Sequence, residues 1–348
     1  MTSAKLDRRA LARDISAVEN RLPSSGAILR AAYSSPGSAF VIGITGPPGA
    51  GKSTLVDALA AHWAANGEAV AVLAVDPSSP YSGGALLGDR IRMERSAEYP
   101  GIYFRSLSSR GHVGGVSSTT AEILPLLVHA GFTRIVIETV GAGQADIDVV
   151  NLADCVVVVS VPGLGDQVQA SKAGLMEIGD VYVVNKSDRP GGRGTTAEID
   201  RALATRYMGQ PGVNRWEQAS DRDAAASLSP GVRALNLRQG DPASESSTWR
   251  PPVLETVAPT GAGSTELADV AEAFLRWATT TSRIARKRQH HIEQHLLRLL
   301  TARLIEPFVS PTEGISSLAR QAQRIAAGQA SPQEAAEELA LLVIRPSA

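Results

Sequence analysis

Short apolar runs alternate with helix-length segments over most of the chain. The runs are nearly continuous in Val, Ile and Leu, which is typical of strands that are covered on both faces of a sheet. The runs lie at residues 40–45, 69–76, 101–107, 133–139, 154–161, 180–185 and 252–257. The helical segments between them lie at 52–66, 117–130, 166–178, 196–208 and 264–279. This pattern predicts an α/β fold with a mostly parallel, doubly wound sheet.

The alternation stops at both ends of the chain and once inside it. Residues 5–32 carry a helical pattern, and residues 209–250 are rich in Gly, Pro, Ser, Asp and Ala, which predicts an irregular insertion. A long helix is predicted over 279–305, with shorter helices at 316–327 and 331–344. Such an arm is typical of dimerisation or partner docking. The predicted parts are an N-terminal helical segment (1–36), a nucleotide-binding domain (37–282) and a C-terminal helical arm (283–348).

The sequence GPPGAGKST follows the first predicted strand and leads into a helix. It matches GxxxxGK[ST] in the context that this phosphate-binding motif requires. Backbone N–H groups of such a loop surround phosphates, and its glycines allow the close approach. Lys52 would place its ammonium at the β- and γ-phosphate oxygens, and the Ser53 hydroxyl would bind Mg²⁺. The predicted nucleotide-binding residues of the loop are Gly46, Pro47, Pro48, Gly49, Ala50, Gly51, Lys52, Ser53 and Thr54.

The tetrapeptide NKSD, residues 185–188, directly follows a predicted strand. NKxD in this position is typical of guanine recognition, because a carboxylate at Asp188 accepts both N1–H and N2–H of guanine. Adenine lacks the 2-amino group, so the same carboxylate would disfavour it by a factor on the order of 10⁴. Lys186 would lay its stem along the base, and Asn185 would tie this loop to the phosphate loop. A second base-contacting loop is predicted at Thr256, Val257 and Ala258.

Acidic residues follow several strand ends between the phosphate loop and NKSD. Open parallel sheets build their sites at the carboxyl ends of the strands, so these residues are candidates for a Mg-nucleotide site. Glu138 ends a strand, as does the acid that holds Mg²⁺ through water in P-loop proteins. A helix N-cap or a solvated loop carboxylate is the alternative for each single acid. The candidates are Asp76, Asp89, Glu138 and Asp166, the last of which shares a loop with Lys172.

Together these motifs resemble the MeaB/ArgK family of GTPases. The likeness rests on GPPGAGKST, VDPSSP with GGALLGD, ETVGAGQ, PGLGDQVQASKAG and NKSD, and it extends over most of residues 5–300. The pairing of VDPSSP with GGALLGD is specific to this family. The resemblance implies a P-loop GTPase that forms a homodimer and chaperones an adenosylcobalamin-dependent acyl-CoA mutase of the methylmalonyl-CoA mutase type. It would gate cofactor loading and protect the mutase.

Carried over by motif, the resemblance also implies roles for single residues. The loop of residues 162–174 would be a switch that responds to the mutase. The implied catalytic residues are Lys52, Asp76, Asp89, Glu138 and Lys172, and the implied magnesium ligands are Ser53, Asp76, Asp89 and Glu138. The implied ligands are GTP, GDP and Mg²⁺.

Composition narrows the choice of partners and compartment. The 34 basic and 35 acidic residues give a formal net charge of −1, which argues against nucleic acid or an anionic membrane as a partner. No apolar run approaches the roughly 18 residues that span a bilayer. The basic N-terminus is interrupted by acidic residues and is followed by no apolar core, unlike a secretory signal. The single Cys155 excludes a disulfide framework. We therefore expect a cytoplasmic protein.

Two other functions remain alternatives. A nickel-insertion GTPase would need a Cys/His metal site, for which His290, His291 and His295 are the candidates on the predicted long helix. A small-molecule kinase, which the old ArgK label implies, would need an acceptor site and usually adenine recognition, against which NKSD argues. The chain is not itself the mutase, because no DxHxxG cobalamin-binding motif occurs in it.

Overall fold

In the computed structural model, the chain is described over residues 7–34, 37–76, 99, 101–108, 115–139, 152–163, 178–207, 249–309, 311–312, 315–327 and 329–344. The strands are β1 (Phe40–Thr45), β2 (Val70–Asp76), β3 (Tyr103–Ser108), β4 (Arg134–Thr139), β5 (Cys155–Ser160), β6 (Val181–Asn185), β7 (Val253–Thr256), β8 (Pro311–Thr312) and β9 (Ile315–Ser316). The helices are α1 (Arg8–Glu19), α2 (Ser25–Tyr33), α3 (Lys52–Ala65), α4 (Gly115–His129), α5 (Gly192–Tyr207), α6 (Ser264–Thr280), α7 (Arg283–Val309), α8 (Ser317–Ala326) and α9 (Pro332–Ile344).

Strands β1 to β7 form one sheet in the order β3-β2-β4-β1-β5-β6-β7. All of its neighbouring pairs are parallel, which confirms the predicted doubly wound α/β fold. The first strand lies in the middle, between β4 and β5. The carboxyl ends of β1, β4, β5, β6 and β7 therefore lie along one edge, which is where open parallel sheets place their ligands.

The sheet is covered on both faces, which explains why its strands are apolar at nearly every position. Ile42 and Ile44 of β1 pack in one core with α3 and α6, whereas Val41 packs in the other core with α1, α2 and α4. Ile42 and Ile44 are fully buried. Burial of one such side chain contributes about 1.5–3 kcal/mol to the stability of the fold.

The N-terminal helical segment is two helices rather than one. Helix α1 ends at Glu19, and the side-chain amide of the next residue, Asn20, donates to the carbonyl of Ser16. Arg21 then takes a left-handed φ of 50°. Helix α1 is tied to β3, because Arg105 forms an ion pair with the buried Glu19 and donates to the Ser16 hydroxyl at 3.0 Å. The N-terminal helices are thus part of the sheet's covering layer.

The predicted helix over 279–305 is wrong at its start. Helix α6 continues to Thr280, and α7 begins only at Arg283. Ser282 separates them with a left-handed φ of 57°. The hydroxyls of Thr279, Thr280 and Thr281 donate to carbonyls one turn back in α6.

The chain forms two compact units, residues 1–288 and 289–348. The second unit contains a two-residue antiparallel pairing of β8 with β9, which the sequence did not predict. In that unit Arg324 of α8 forms an ion pair with Glu338 of α9 at 2.5 Å. Within the described ranges, no helix is both long and apolar enough to cross a membrane. The predicted division into 1–36, 37–282 and 283–348 stays a prediction, and most of the predicted insertion at 209–250 lies outside the described residues.

Candidate nucleotide site

The loop between β1 and α3 requires glycine at two positions. Gly46 has a φ of 147°, and a Cβ atom there would lie 2.1 Å from the carbonyl oxygen of Val159 in β5. Gly51 has a φ of 86°, and a Cβ atom there would lie 2.5 Å from the side-chain amide nitrogen of Asn185. The glycines therefore serve two purposes, since they permit the positive φ and the close packing of neighbouring segments against the loop.

Lys52 is the first residue of α3 and is buried. Its ammonium donates to the carbonyls of Gly46 at 2.9 Å and Pro47 at 3.1 Å. These contacts hold the charge inside the loop, next to the N-terminus of α3. Both the helix N-terminus and the ammonium attract an anion at this point.

Ser53 and Glu138 meet beside the loop. The Ser53 hydroxyl donates to Oε1 of Glu138 at 2.5 Å. Glu138 is buried and lies next to Ile44 of β1 in the strand register. A hydroxyl and a carboxylate offer hard oxygen ligands, which fit Mg²⁺ and not a soft metal. Among the described residues, no group of three His, Cys, Asp or Glu side chains is arranged to hold a metal ion.

Asn185 joins three segments at the other side of the loop. Its amide nitrogen donates to the carbonyl of Ala50 at 2.8 Å. Its amide oxygen accepts from the Thr256 hydroxyl at 3.1 Å and from the Ala258 N–H at 3.1 Å. The side chain is almost fully buried. The phosphate loop, the NKSD loop and the loop after β7 are therefore held together by one side chain, as the sequence predicted for Asn185.

Lys186 is one of the few described non-glycine residues with a left-handed backbone, at a φ of 57°. Such a conformation costs roughly 1–2 kcal/mol for a residue with a Cβ atom, and it must be offset by the surrounding contacts. Its ammonium donates to the carbonyl of Gly49 at 2.6 Å, so its stem extends from the NKSD loop to the phosphate loop. The Ser187 hydroxyl donates to the carbonyl of Thr256 at 3.2 Å. Asp188 is exposed at the tip of this loop.

The loop after β7 supports Asn185 through Thr256 and Ala258. An antiparallel bridge between Val257 and Ala262 closes this loop, and the N–H of Val257 donates to the carbonyl of Ala262 at 3.0 Å. The Thr256 hydroxyl and the Ala258 N–H are both committed to Asn185. A direct contact of Thr256, Val257 or Ala258 with a base stays a prediction.

Several predicted site residues lie outside the described part of the chain. Of Asp76, only the backbone is described, and it ends β2 at the same sheet edge. Asp89, Asp166 and Lys172 are outside the described residues, as is most of the predicted switch loop at 162–174. Their roles stay predictions.

Sequence reasoning missed one pair of polar residues beside the site. Thr139 Oγ1 donates to Thr45 Oγ1 at 3.1 Å, and both side chains are completely buried. Thr45 ends the run FVIGIT and Thr139 ends the run RIVIET, each as a polar residue after apolar ones. That coincidence was the only signal in the sequence, and it does not reveal that the two strands are neighbours.

A second polar cluster lies at the other end of the strands, where β5 and β6 begin. Asp154, ahead of β5, accepts from the Val41 N–H at 2.9 Å and forms an ion pair with Arg288 of α7 at 2.6 Å. Asp180, ahead of β6, accepts from the Val156 N–H at 3.0 Å and pairs with Arg283 at 2.9 Å. These two aspartates therefore fasten the beginning of α7 to the sheet.

Two further buried groups belong to this second cluster. Burial lowers the pKa of Lys287, and the nearby Asp180 carboxylate opposes that shift. Burial also raises the pKa of the Cys155 thiol well above its usual value, so the thiol is inert. Cys155 is fully buried in β5.

Comparisons with known proteins also indicate a nucleotide-binding protein. The sequence matches the model of the family described as methylmalonyl Co-A mutase-associated GTPase MeaB over residues 11–313. A Pyrococcus horikoshii protein with a provisional GTPase name is 40% identical over 317 residues, which is 90% of this chain and 89% of that protein. The mouse protein named methylmalonic aciduria type A homolog, mitochondrial, is 32% identical over 300 residues, 86% of this chain and 64% of the mouse protein.

A solved structure shares the fold. The crystal structure of a LAO/AO transport system kinase superposes with a TM-score of 0.63 at 23% sequence identity, covering 97% of this chain and 94% of that chain. At this level of identity the likeness shows the architecture alone. The P-loop α/β fold predicted from the sequence is thereby confirmed.

Proposed function

We propose, since the chain belongs to the MeaB family of methylmalonyl-CoA mutase-associated GTPases, that it hydrolyses GTP to GDP and phosphate with Mg²⁺ and chaperones an adenosylcobalamin-dependent acyl-CoA mutase. The mutase would be of the methylmalonyl-CoA mutase type. The chaperone would gate loading of the cofactor and protect the enzyme. We propose the cytoplasm as its compartment.

The observation that carries the GTPase part is the side chain of Asn185. It joins the loop that matches a phosphate-binding motif to the loop that matches a guanine-reading motif. A single buried amide thus fixes the distance between the loop proposed to bind the phosphates and the loop proposed to bind the base. Lys186 supports the same spacing through its bond to Gly49. This arrangement holds the NKSD loop in place, so that the exposed Asp188 carboxylate can accept the N1–H and N2–H of guanine.

At the phosphate end, Lys52 and the N-terminus of α3 would hold the β- and γ-phosphates. Ser53 and Glu138 would hold Mg²⁺, which when bound neutralises charge on the phosphate oxygens. Asp76 and Asp89 are proposed as further acids of this site. Glu138 is buried, so its charge is screened less by water than that of a surface carboxylate. Its position favours a cation at the Ser53 hydroxyl.

The chaperone part is supported by membership in the family and by the name of the mouse relative. We propose that the loop of residues 162–174 responds to the mutase and that Lys172 transmits the response to the nucleotide site. Replacing Lys172 with Ala should leave intrinsic GTP hydrolysis nearly intact and abolish its acceleration by the cognate mutase. Full stimulation of the variant would remove this loop from the proposal.

A homodimer is supported by a row of apolar side chains on α7. The residues are spaced four apart, and each is about half exposed: Ile292 (60%), Leu296 (55%), Leu300 (51%) and Leu304 (49%). Side chains at this spacing form an inclined ridge on a helix, and two such ridges interdigitate with a crossing angle near −50°. We propose that a second copy of the chain covers this row.

The test of the GTPase is phosphate release by the purified full chain. GTP with Mg²⁺ and no added acceptor should yield GDP and phosphate at about 10⁻⁴ to 10⁻² s⁻¹, the range of GTPases without a supplied catalytic group. Replacing Lys52 with Ala should abolish the release and most of the affinity for nucleotide. Equal binding of ATP and GTP would contradict guanine recognition. Phosphate transfer that required an acceptor would favour the kinase alternative.

A further inference from the structure

The strands β1 and β4 stay in contact one residue beyond their backbone pairing. The register of the two strands ends at Ile44 opposite Glu138. The next residues, Thr45 and Thr139, are joined instead by their side chains, through a hydrogen bond of 3.1 Å between the two hydroxyls. Both residues are 0% exposed. A buried hydroxyl is costly unless it is paired, so each threonine depends on the other at this point of the core.

The pair lies next to the phosphate site but outside it. Thr45 precedes Gly46, whose carbonyl accepts from Lys52, and Thr139 follows Glu138, whose carboxylate accepts from Ser53. Side chains alternate between the two faces of a strand, so Thr139 points away from α3, on which Ser53 lies. Its neighbour on the same face, Ile137, packs in the core with α1, α2 and α4. The hydroxyl pair is therefore outside the reach of a nucleotide and can act only through its neighbours.

We propose that Thr45 and Thr139 are positioning residues of the nucleotide site. Their hydrogen bond holds the carboxyl end of β4 against the start of the phosphate loop, and this fixes the distance between Glu138 and Ser53. The same bond holds Thr139, the last residue of β4, in place. The inference rests on the proposed function, because it assigns the pair to a Mg-nucleotide site.

We expect loss of this hydrogen bond to weaken the binding of Mg²⁺ selectively. Mg²⁺ requires nearly ideal octahedral geometry of its ligands and of the waters that it keeps, so a small shift of Glu138 relative to Ser53 weakens binding of the ion, directly or through water. A displacement of about 1 Å near reacting groups can reduce a rate by roughly 10²-fold. The proposed contacts of the base and of the α- and β-phosphates come from the NKSD loop and from the phosphate loop beyond Gly46, to which the two hydroxyls form no hydrogen bond among the described residues. Binding of GDP without Mg²⁺ should therefore change little.

The test replaces each threonine with valine, which keeps the shape and removes the hydroxyl. For Thr139→Val and Thr45→Val in the full chain, we expect the Mg²⁺-dependent gain in affinity for a non-hydrolysable GTP analogue to fall about three- to tenfold and kcat to fall about tenfold. The affinity for GDP in EDTA should stay within about twofold, because the loop contacts are intact. Thr139→Ser should restore Mg²⁺ dependence, because it restores the hydroxyl. The double variant should be no worse than the worse single variant, since both lose the same bond.

Thr133→Val is the matched control. Thr133 precedes the first residue of β4, at the end of the strand that lies away from the phosphate loop. Its hydroxyl donates a hydrogen bond to Glu68. This variant should lower the melting temperature and leave the Mg²⁺ response unchanged. The inference is overturned if Thr139→Val and Thr45→Val behave like the control, or if their effects on Mg²⁺ dependence add. Either single variant suffices for the test if the other does not fold.

The affinity measurement separates this inference from the proposed function. If the unmodified chain binds the GTP analogue with Mg²⁺ but releases no phosphate, hydrolysis is wrong, while the Mg²⁺-dependent affinity of the variants still tests the pair. If Mg²⁺ does not increase the affinity of the unmodified chain, the assignment of the pair to a magnesium site is overturned.

Discussion

The Ser53 hydroxyl donates a 2.5 Å hydrogen bond to the Glu138 carboxylate, which joins the first turn of α3 to the end of β4. The two residues are 85 positions apart and belong to different sequence motifs. Their meeting places a hard oxygen pair at the residue that follows Lys52, whose ammonium donates to the carbonyl of Gly46. Metal dependence is therefore the first property to test.

Replacing Glu138 with Gln keeps the shape of the side chain and removes its charge. We expect the Mg²⁺ concentration for half-maximal GTP hydrolysis to rise about tenfold or more, because the hard anionic ligand is lost. Affinity for GDP in EDTA should change by less than about threefold, since Glu138 meets the cation and not the base. Glu255→Gln is the matched control, because Glu255 lies on the edge strand β7 and its carboxylate accepts from Thr196 of α5, away from the phosphate loop. An unchanged Mg²⁺ response in Glu138→Gln would contradict the assignment.

Asp188→Asn should exchange guanine for xanthine. The asparagine amide can donate to the carbonyl that xanthine carries at C2, whereas guanine loses both bonds to the carboxylate. We expect GTP affinity to fall at least about 100-fold and XTP to become the better ligand. The measurement is competitive displacement of a fluorescent nucleotide by GTP, XTP and ATP. Asp200→Asn, on the exposed face of α5, should keep the guanine preference. Retained GTP affinity in Asp188→Asn would place the base elsewhere.

Asn185→Ala should destabilise the protein as well as the site. It removes the bonds to Ala50, Thr256 and Ala258 and leaves buried polar groups without partners. We expect a loss of about 2–4 kcal/mol in the free energy of unfolding, measured by urea denaturation, because each unpaired buried group costs about 1–3 kcal/mol. Asn66→Ala removes an exposed amide at the end of α3 and should cost well under half as much. Equal losses in the two variants would show that Asn185 does not hold the loops together.

The buried Lys287 predicts a pH dependence of stability. Its pKa in the folded state is lowered by burial from its usual 10.5, with Asp180, Asp154, Arg283 and Cys155 as charged or titratable neighbours. Between the lowered pKa and 10.5 the unfolded chain binds more protons, so Lys287 makes stability rise with pH there. The stability of wild type relative to Lys287→Met should therefore increase as the pH rises from the lowered pKa towards 10.5. Urea denaturation of both proteins at several pH values measures it, and a constant difference would contradict it.

Charges on the apolar row of α7 should prevent self-association. Leu296→Lys and Leu300→Lys place an ammonium in the middle of the proposed interface, where burial of an unpaired charge is costly. Sedimentation velocity of the full chain should show a dimer for wild type and a monomer for these variants. Leu318→Lys on α8 is the control, because Leu318 is similarly exposed at 49% but lies outside the row. A wild-type monomer, or a dimer that survives both substitutions, would refute this interface.

The sequence by itself determined the elements and the local chemistry of this protein. Apolar runs with almost no polar interruption mark strands covered on both faces, and the structure has a strand at each run. GPPGAGKST was recognisable because positive φ at Gly51 and close packing at Gly46 leave room for glycine alone, and NKSD was recognisable because it directly follows an apolar run. These signals are local, since they depend on backbone sterics and on side chains a few positions apart.

Only the tertiary structure decided which distant residues meet. The order β4-β1-β5-β6-β7 brings Glu138 to Ser53 and joins Thr139 to Thr45. It also brings Asn185 to Ala50, 135 residues away. Strand order follows from the packing of helices on both faces, a property of the whole chain that no short segment carries. The left-handed turn at Ser282 divides the predicted long helix directly before Arg283, which pairs with Asp180, 103 residues away.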